Sequence, residues 1–451
     1  MFSTEDTIVA IATPHGRGGI GVVRVSGASA LRIAAALLAL ETPLQARHAT
    51  FAHAKGDHVV ATYFPAPHSY TGEHVVEISA HGSPVVLRQI VADSMQAGAR
   101  LAEPGEFTLR AFLNGRIDLI QAEAVADLID AATPLQARAA YDQLEGTLTE
   151  RIAAIESELF DLIARIEASL DFPDEGYHFV AAGEVAEALR AIDTEVGALV
   201  CESRRGRLIR EGAQVAITGK PNVGKSSLFN ALVRATRAIV TPVPGTTRDL
   251  VTERADIDGL PLEFIDTAGI REATDEVESE GVTRARRTWA TADLVMVVLD
   301  LSRSLEDGDV DLLRDTSSVS RLVVANKSDL PAAWERADLQ LAEPVEVVST
   351  LTGDGLNALR KRMRAALDGT TSGTPRDTAA VTNVRHAALL ERARASLGHA
   401  CDAVDAPGGP VPEEFVLTDL QDARAALEEV TGKRTSEDLL RHIFSRFCIG
   451  K

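Results

Sequence analysis

Gly219-Lys220-Pro221-Asn222-Val223-Gly224-Lys225-Ser226 follows the apolar run Gln214 to Thr218 and precedes a helical pattern, Ser227 to Val233. The spacing is G-x-x-x-x-G-K-S between a strand and a helix, that of a phosphate-binding loop. Glycines let backbone N–H groups curl round phosphates, and the helix N-terminus adds a positive dipole. Lys225 is placed to bridge β- and γ-phosphates and Ser226 to ligate magnesium, with Asn222, Val223, Gly224 and Ser227 lining the rest of the loop. A Gly-rich turn with no ligand would match the same few fixed positions, so the reading needs support from further along the chain.

Apolar strand-like stretches alternate with helical ones on the C-terminal side: Gln214 to Thr218, Leu262 to Asp266, Asp293 to Asp300, Arg321 to Asn326 and Val345 to Ser349. This alternation predicts a mostly parallel, doubly wound α/β sheet over 213–373. Asp266-Thr267-Ala268-Gly269 and Asn326-Lys327-Ser328-Asp329 fall at carboxyl ends of these strands, where open α/β sheets bind ligands. Asp266 can hold magnesium through water, and Gly269 can offer its N–H to the γ-phosphate, which makes that loop sensitive to hydrolysis. Asp329 can accept hydrogen bonds from guanine N1–H and the exocyclic amine, whereas adenine presents an acceptor at N1 and no amine there. The nucleotide is therefore GTP. Ser349-Thr350-Leu351, after the last strand, stands where guanine-binding proteins usually carry Ser-Ala.

Between the first two motifs lies the turn-rich Thr241-Pro242-Val243-Pro244-Gly245-Thr246-Thr247-Arg248-Asp249, in which Thr247 is the candidate second magnesium ligand. The position after Asp-Thr-Ala-Gly, where Ras-like enzymes place a water-orienting glutamine, is Ile270, which cannot do that work. Glu272, Asp275, Glu276, Glu278 and Glu280 crowd the following loop, and residue chemistry does not choose among them.

At 451 residues the chain exceeds what one core usually organises, which favours about three domains. Residues 1–118 mix short strands (Thr7 to Ala12, Gly21 to Val25, Val75 to Ser79) with Gly, Pro and His punctuation, as in a small α+β unit. Ile117, Ile120, Ala124, Leu128 and Ala131 then open all-α texture over 119–212, with a break at Asp171 to Gly176. Gly369 to Pro375 reads as a linker, after which helical sequence resumes over 374–451, broken at Ala406 to Pro412. The P-loop domain is thus inserted in a helical domain.

Lys plus Arg total 46 against 66 Asp plus Glu, a net charge of -20, the wrong sign for a surface that coats phosphates generally. Three cysteines, Cys201, Cys401 and Cys448, are too scattered for a disulfide framework or a metal cluster, which fits a reducing, cytoplasmic setting. The start lacks a basic n-region and no apolar run approaches the roughly 18 residues of a membrane helix, so neither export nor a membrane span is expected.

The chain also carries Asp6-Thr7-Ile8-Val9-Ala10, Gly16-Arg17-Gly18-Gly19, Pro104-Gly105-Glu106-Phe107 leading into Arg110-Ala111-Phe112-Leu113-Asn114, and a terminal Cys448-Ile449-Gly450-Lys451. Together with the GTPase motifs these closely resemble the tRNA-modification GTPase family MnmE, also called TrmE, along the whole chain. The resemblance implies a homodimer whose N-terminal α+β domains bind a tetrahydrofolate derivative, 5,10-methylene- or 5-formyl-tetrahydrofolate, as one-carbon donor. It implies a flavin-dependent partner, MnmG, in a heterotetramer that adds a carboxymethylaminomethyl-type group to C5 of the wobble uridine of certain tRNAs. The partner would supply much of the basic surface. The folate contacts fall here on Arg24, Glu77, Arg116 and Lys451; family members commonly carry lysine at the position of Arg116. The resemblance further implies hydrolysis with potassium bound by Asn222, Thr241, Val243 and Thr246, and a water-orienting glutamate at Glu278.

Cys448 is not a prenylation box, since Gly450 is not aliphatic. A plain exposed thiol and a part in the modification chemistry both stay open for it, behind a helix that Thr435 and Asp438 are expected to start as a capping box. The alternative from another class is a switch GTPase for ribosome assembly. Such proteins usually append a basic RNA-binding domain, whereas the C-terminal helices carry Glu428, Glu429, Glu437 and Asp438 beside their cations.

Overall fold

Val23 and Val25 alternate with Arg24 along one strand, and that period of two builds the N-terminal sheet. The computed structural model describes residues 5–40, 42–171, 182–234, 252–266, 288–339, 341–368, 381–405 and 413–450. The expected breaks at 171–176, 369–375 and 406–412 lie wholly or mostly outside the described residues. The chain forms two compact units, one from Met1–Ala126, Gln143–Asp193 and Arg392–Lys451, the other from Asp127–Asp142 and Thr194–Glu391. Among the described residues no helix is long and apolar enough to cross a membrane.

The first unit holds β1 (Ile8–Ile11), β2 (Gly18–Ser26), β3 (Ala49–Ala54), β4 (Asp57–Phe64), β5 (Val75–Gly82) and β6 (Arg100–Leu101), in the order β3-β4-β5-β2-β1-β6. All pairs are antiparallel except β1 with β6. Helices α1 (Ala30–Leu37) and α2 (Pro84–Gln96) bury Ile33, Ala34, Leu87 and Ile90 against Val9, Val23, Val25 and Ile78. Strands β3 and β4 are absent from the sequence reading because Ala and His dilute their β propensity. The Lys55-Gly56 turn between paired Ala54 and Asp57, with Gly56 at φ 90°, is the signal that marks them.

Helices α3 (Glu106–Leu113), α4 (Leu119–Asp130), α5 (Pro134–Leu144), α6 (Thr147–Asp171) and α7 (Ala182–Glu211) follow. Near the C-terminus, Glu437–Phe444 packs Leu440 and Phe444 with Leu109, Leu119 and Phe447. Its cap corrects the expectation. The helix starts at Glu437, so Ser436 is the cap and its hydroxyl accepts from Leu439 N at 3.3 Å, while the Thr435 hydroxyl is buried with no hydrogen-bond partner among the described residues.

The second unit holds β7 (Ala213–Thr218), β8 (Thr252–Ile257), β9 (Leu260–Asp266), β10 (Leu294–Asp300), β11 (Arg321–Asn326) and β12 (Val345–Val347). Their order is β12-β11-β10-β7-β9-β8, parallel throughout except for β8 against β9. Both faces are buried: Val215, Ile217, Met296 and Val298 on one, Ala216, Val295, Val297 and Leu299 on the other. Unbroken apolar runs such as Leu294 to Leu299 are what such a sheet requires. Helices α8 (Lys225–Arg234) and α9 (Asp307–Asp315) lie between strands, and α10 (Leu356–Asp368) follows the last one. The antiparallel edge strand β8 is an addition to the sequence reading. Asp258 and Gly259, at φ 52° and 87°, form its two-residue turn, and Asp-Gly is the dipeptide that announces such a hairpin.

Candidate functional site

Strand β7 lies between β9 on one side and β10 on the other, so the chain leaving β7 emerges where the strand order reverses. The loop there is shaped by three positive-φ residues, Gly219 (152°), Asn222 (65°) and Gly224 (98°). Two of them also need the missing side chain: a Cβ on Gly219 would sit 2.4 Å from Val298 O, and one on Gly224 would sit 2.2 Å from Asn326 Nδ2. The loop is therefore pressed against the ends of β10 and β11. Helix α8 begins at Lys225, directly after this loop, so the amides at its N-terminus are the groups suited to a phosphate.

Lys225 is 7% exposed, and its ammonium donates to Gly219 O at 2.8 Å and Lys220 O at 2.6 Å. Ser226 and Ser227 are exposed at the start of α8. Asp266 ends β9 in register with Ile217 of β7, which puts its backbone at the same edge of the sheet.

The base end is built from β11 and the loop after β12. Asn326 is fully buried; its Nδ2 donates to Val223 O at 3.0 Å and its Oδ1 accepts from Thr350 N at 3.3 Å, so it ties the phosphate loop to the Ser349 loop. Asp329 is exposed, and Ser349 Oγ donates to its Oδ1 at 2.6 Å. Ser349 Oγ in turn accepts from Leu351 N and Thr352 N, at 3.3 and 3.2 Å. Lys327, at φ 67°, donates to Asp300 Oδ2 at 2.6 Å. Burial pushes the Asp300 carboxyl up, but Lys327 and Ser302 outweigh it and hold the group below the usual carboxylate range. Asp300 is a member of this site that the motifs do not name; its place opposite Asn326 in the β10–β11 register is the signal.

The arrangement thus brings together Gly219, Val223, Gly224, Lys225, Asn326, Thr350, Ser349 and Asp329. Thr241, Val243, Thr246, Thr247, Thr267, Ala268, Gly269 and Glu278 lie outside the described residues, as does Lys451.

In the first unit, Arg24 of β2 faces Glu77 of β5 across the sheet, with Nε to Oε1 at 2.9 Å and Nη2 to Oε1 at 2.8 Å. Its guanidinium carbon lies 5.1 Å from the Tyr70 ring centre and 5.6 Å from that of Phe107. Among the described residues, Arg24 Nη1 is buried without a hydrogen-bond partner. Such an orphan donor normally costs free energy, which an incoming acceptor would recover. Arg116 is exposed, with its side chain beside Gly72. The C-terminal tail packs on the same unit: a Cβ on Gly450 would lie 2.1 Å from Ile11 O, and Cys448 O accepts from Gly105 N at 3.4 Å. The Cys448 residue is exposed.

In the same unit, Arg110 is 1% exposed and binds three carboxylates, Asp6, Glu73 and Glu106. The sequence reading does not assign it a role; Glu106 four residues before it on α3 is the one local hint.

The family model "MnmE helical domain" matches residues 119–448, and the model "GTP-binding protein TrmE N-terminus" matches residues 7–116. A tRNA modification GTPase MnmE of Koribacter versatilis is 43% identical over 463 residues, covering 100% of this chain and 100% of that protein. One from Alkaliphilus metalliredigens is 42% identical, covering 99% of each. One from Nitrosomonas europaea is 42% identical, covering 100% of each.

Proposed function

The chain belongs to the tRNA modification GTPase MnmE family, and from that premise we propose that it hydrolyses GTP to drive modification of the wobble uridine of certain tRNAs. It is a GTPase in tRNA modification. The observation that carries it is the Asn326 junction, which joins a phosphate loop to a base pocket headed by Asp329.

Within that reading, Lys225 neutralises the β- and γ-phosphates, the exposed Ser226 hydroxyl and Thr247 hold magnesium, and Asp329 reads the guanine edge. The metal supplies charge neutralisation on the transferring phosphoryl group. Asn222, Thr241, Val243 and Thr246 would hold potassium, which would supply further positive charge there, and Glu278 would orient water where Ile270 cannot.

Arg24, Glu77, Arg116 and Lys451 would hold a tetrahydrofolate, whose part is to supply the one-carbon unit. The residues present fit it. Arg24 Nη1 is an unmet donor suited to a carbonyl or carboxylate oxygen, and Glu77 is an acceptor suited to a pterin's ring N–H and amine groups. A homodimer working with a flavin-dependent partner, MnmG, completes the reaction, and the partner's basic surface makes up for the charge of -20 here. Residues 1–118 are then the folate-binding and dimerisation domain, and 213–373 the GTPase domain set into the helical segments 119–212 and 374–451.

The test is mass spectrometry of tRNA nucleosides from a strain lacking the gene, complemented with the parent or with Lys225→Ala. Loss of the C5-substituted wobble uridine, restored by the parent and not by the variant, is expected. An unchanged nucleoside profile together with accumulated ribosome precursors would instead establish the ribosome-assembly role.

A further inference from the structure

Lys220 holds a variable position of the phosphate loop, and its side chain runs away from the loop to the first turn of α9. Its ammonium lies 3.0 Å from Glu306 Oε2 and 2.9 Å from Asp309 Oδ2. Glu306 is the N-cap of α9 and Asp309 its third residue; Asp309 Oδ2 also accepts from Glu306 N at 3.0 Å, so one carboxylate oxygen takes both the cap amide and the lysine. The lysine lies so close over the turn that a Cβ on Gly308 would come within 2.7 Å of Lys220 Cε. A cavity of about 270 Å³ is bounded by Lys220, Asn222 and Val223 on one wall and by Asp300, Arg303 and Glu306 on the other.

The other end of the same residue bears on the phosphate site, because Lys220 O accepts the 2.6 Å hydrogen bond from Lys225 Nζ. One residue therefore links the cap of α9 to the ammonium that meets the phosphates. An exposed ion pair alone would contribute little. Here Asp309 is only 11% exposed and Lys220 26%, so solvent screens the contact incompletely. Burial disfavours the charged lysine, and the two carboxylates outweigh that and strengthen its hold on the proton.

We propose that Lys220 is a positioning residue for GTP binding: tied to Glu306 and Asp309, it fixes the carbonyl that seats Lys225, so the first turn of α9 sets how tightly the phosphates are held. The proposal rests on the reading of residues 219–226 as the GTP site. It concerns ground-state binding, so it should move the affinity of GDP and GTP together and leave the hydrolytic step nearly alone.

The experiment measures mant-GDP dissociation and steady-state GTP kinetics for the full chain and its Lys220→Ala, Lys220→Arg, Glu306→Gln/Asp309→Asn and Lys225→Ala variants. Lys220→Ala should release mant-GDP roughly 3- to 10-fold faster and raise KM by a similar factor, with kcat within about twofold. Lys220→Arg should restore parent behaviour, and the double acid variant should reproduce Lys220→Ala. Adding Lys220→Ala to the acid variant should then change nothing more, as expected of groups acting as one unit. Raising the salt should narrow the gap between Lys220→Ala and parent. Lost binding in Lys225→Ala with unaltered dissociation in Lys220→Ala overturns the inference alone, as does a fall in melting temperature with no change in dissociation. Intact binding in Lys225→Ala overturns the site reading beneath it.

Discussion

Asp329 is held by Ser349, whose hydroxyl donates 2.6 Å to Oδ1, and the carboxylate keeps acceptor capacity for a base. Asp329→Asn keeps the shape of that contact, since an amide oxygen also accepts from Ser349. The amide N–H₂ that replaces the other acceptor would face guanine's amine donor to donor, but it can donate to the 2-oxo group of xanthine. GTP affinity should fall by roughly 10²-fold, the scale of leaving a polar pair unmet, and XTP affinity should rise. Competition binding with both nucleotides measures it; unchanged discrimination would remove Asp329 from the base pocket. Arg24 is the corresponding single residue of the first unit. Arg24→Ala should weaken 5-formyltetrahydrofolate binding by about 10²-fold, the range for a hydrogen bond to a charged group, read by calorimetry. GTP turnover should persist, because the phosphate loop belongs to the other compact unit. Equal folate affinity in the variant would place the pocket elsewhere. Asp329 is read from its own short motif, Asn326-Lys327-Ser328-Asp329, whereas Arg24 enters only through the family resemblance. Asp300 and Arg110 are assigned by neither, since what gives them a role is a neighbour across a strand pair or from a distant segment.

Helix α3 shows how far an element depends on such distant neighbours. Arg110 on its buried face is matched by Glu106 one turn earlier, by Asp6 near β1 and by Glu73 before β5, while Arg100 of β6 also binds Asp6 and Glu106. Burial pushes the Glu106 carboxyl up, but Arg100, the Glu103 backbone N–H and Arg110 outweigh it and leave it lowered; the Asp6 carboxyl is lowered in the same way by Arg100 and Arg110. Carboxylates lowered on folding contribute stability that is present above their unfolded pKa and is lost as pH falls through the folded one. Glu106→Gln should therefore cost about 3 kcal/mol at pH 7, the scale of breaking a buried pair, and progressively less at a second, acidic pH below the ordinary carboxylate range. Thermal melts at the two pH values test this; a gap of constant size would show that the charge of Glu106 is not what matters. The helix itself was foreseeable only as a motif, Glu106-Phe107 into Arg110. The strands divide similarly. The interior parallel strands β7, β9, β10 and β11 follow from apolar runs that a sheet buried on both faces demands. The strand Thr252–Ile257 does not, because it is an edge and its apolar content is thin.

At the scale of the molecule, the sheet that carries the phosphate loop lies in sequence between helices of one chain, Ala182–Glu211 before it and Val384–Val404 after it, and we propose that hydrolysis is an event between two copies. Ile270 follows Asp-Thr-Ala-Gly in this chain. An apolar side chain in the place of the water-orienting glutamine leaves a transition state in need of both a positioned water and positive charge. An arginine finger supplies about 10³ to 10⁵ in rate where one exists. A potassium ion held by Asn222 and the 241–246 loop would do the same work, and sodium, being smaller, would fit that ring of oxygens poorly, on the cavity-size reasoning that separates calcium from magnesium. Replacing potassium by sodium should then slow single-turnover hydrolysis by on the order of 10²-fold, and rubidium should substitute partly. Asn222→Ala should lose the potassium response and keep nucleotide binding. Glu278→Ala should slow the step by about 10²-fold or more with GTP affinity intact, the range for losing a positioned acid–base group. If the cation site closes only when two GTPase domains meet, the rate per protein molecule should also climb with protein concentration in potassium and stay flat in sodium. Equal rates in the two salts, or full activity without Glu278, would mean that this chain meets the developing charge with other groups.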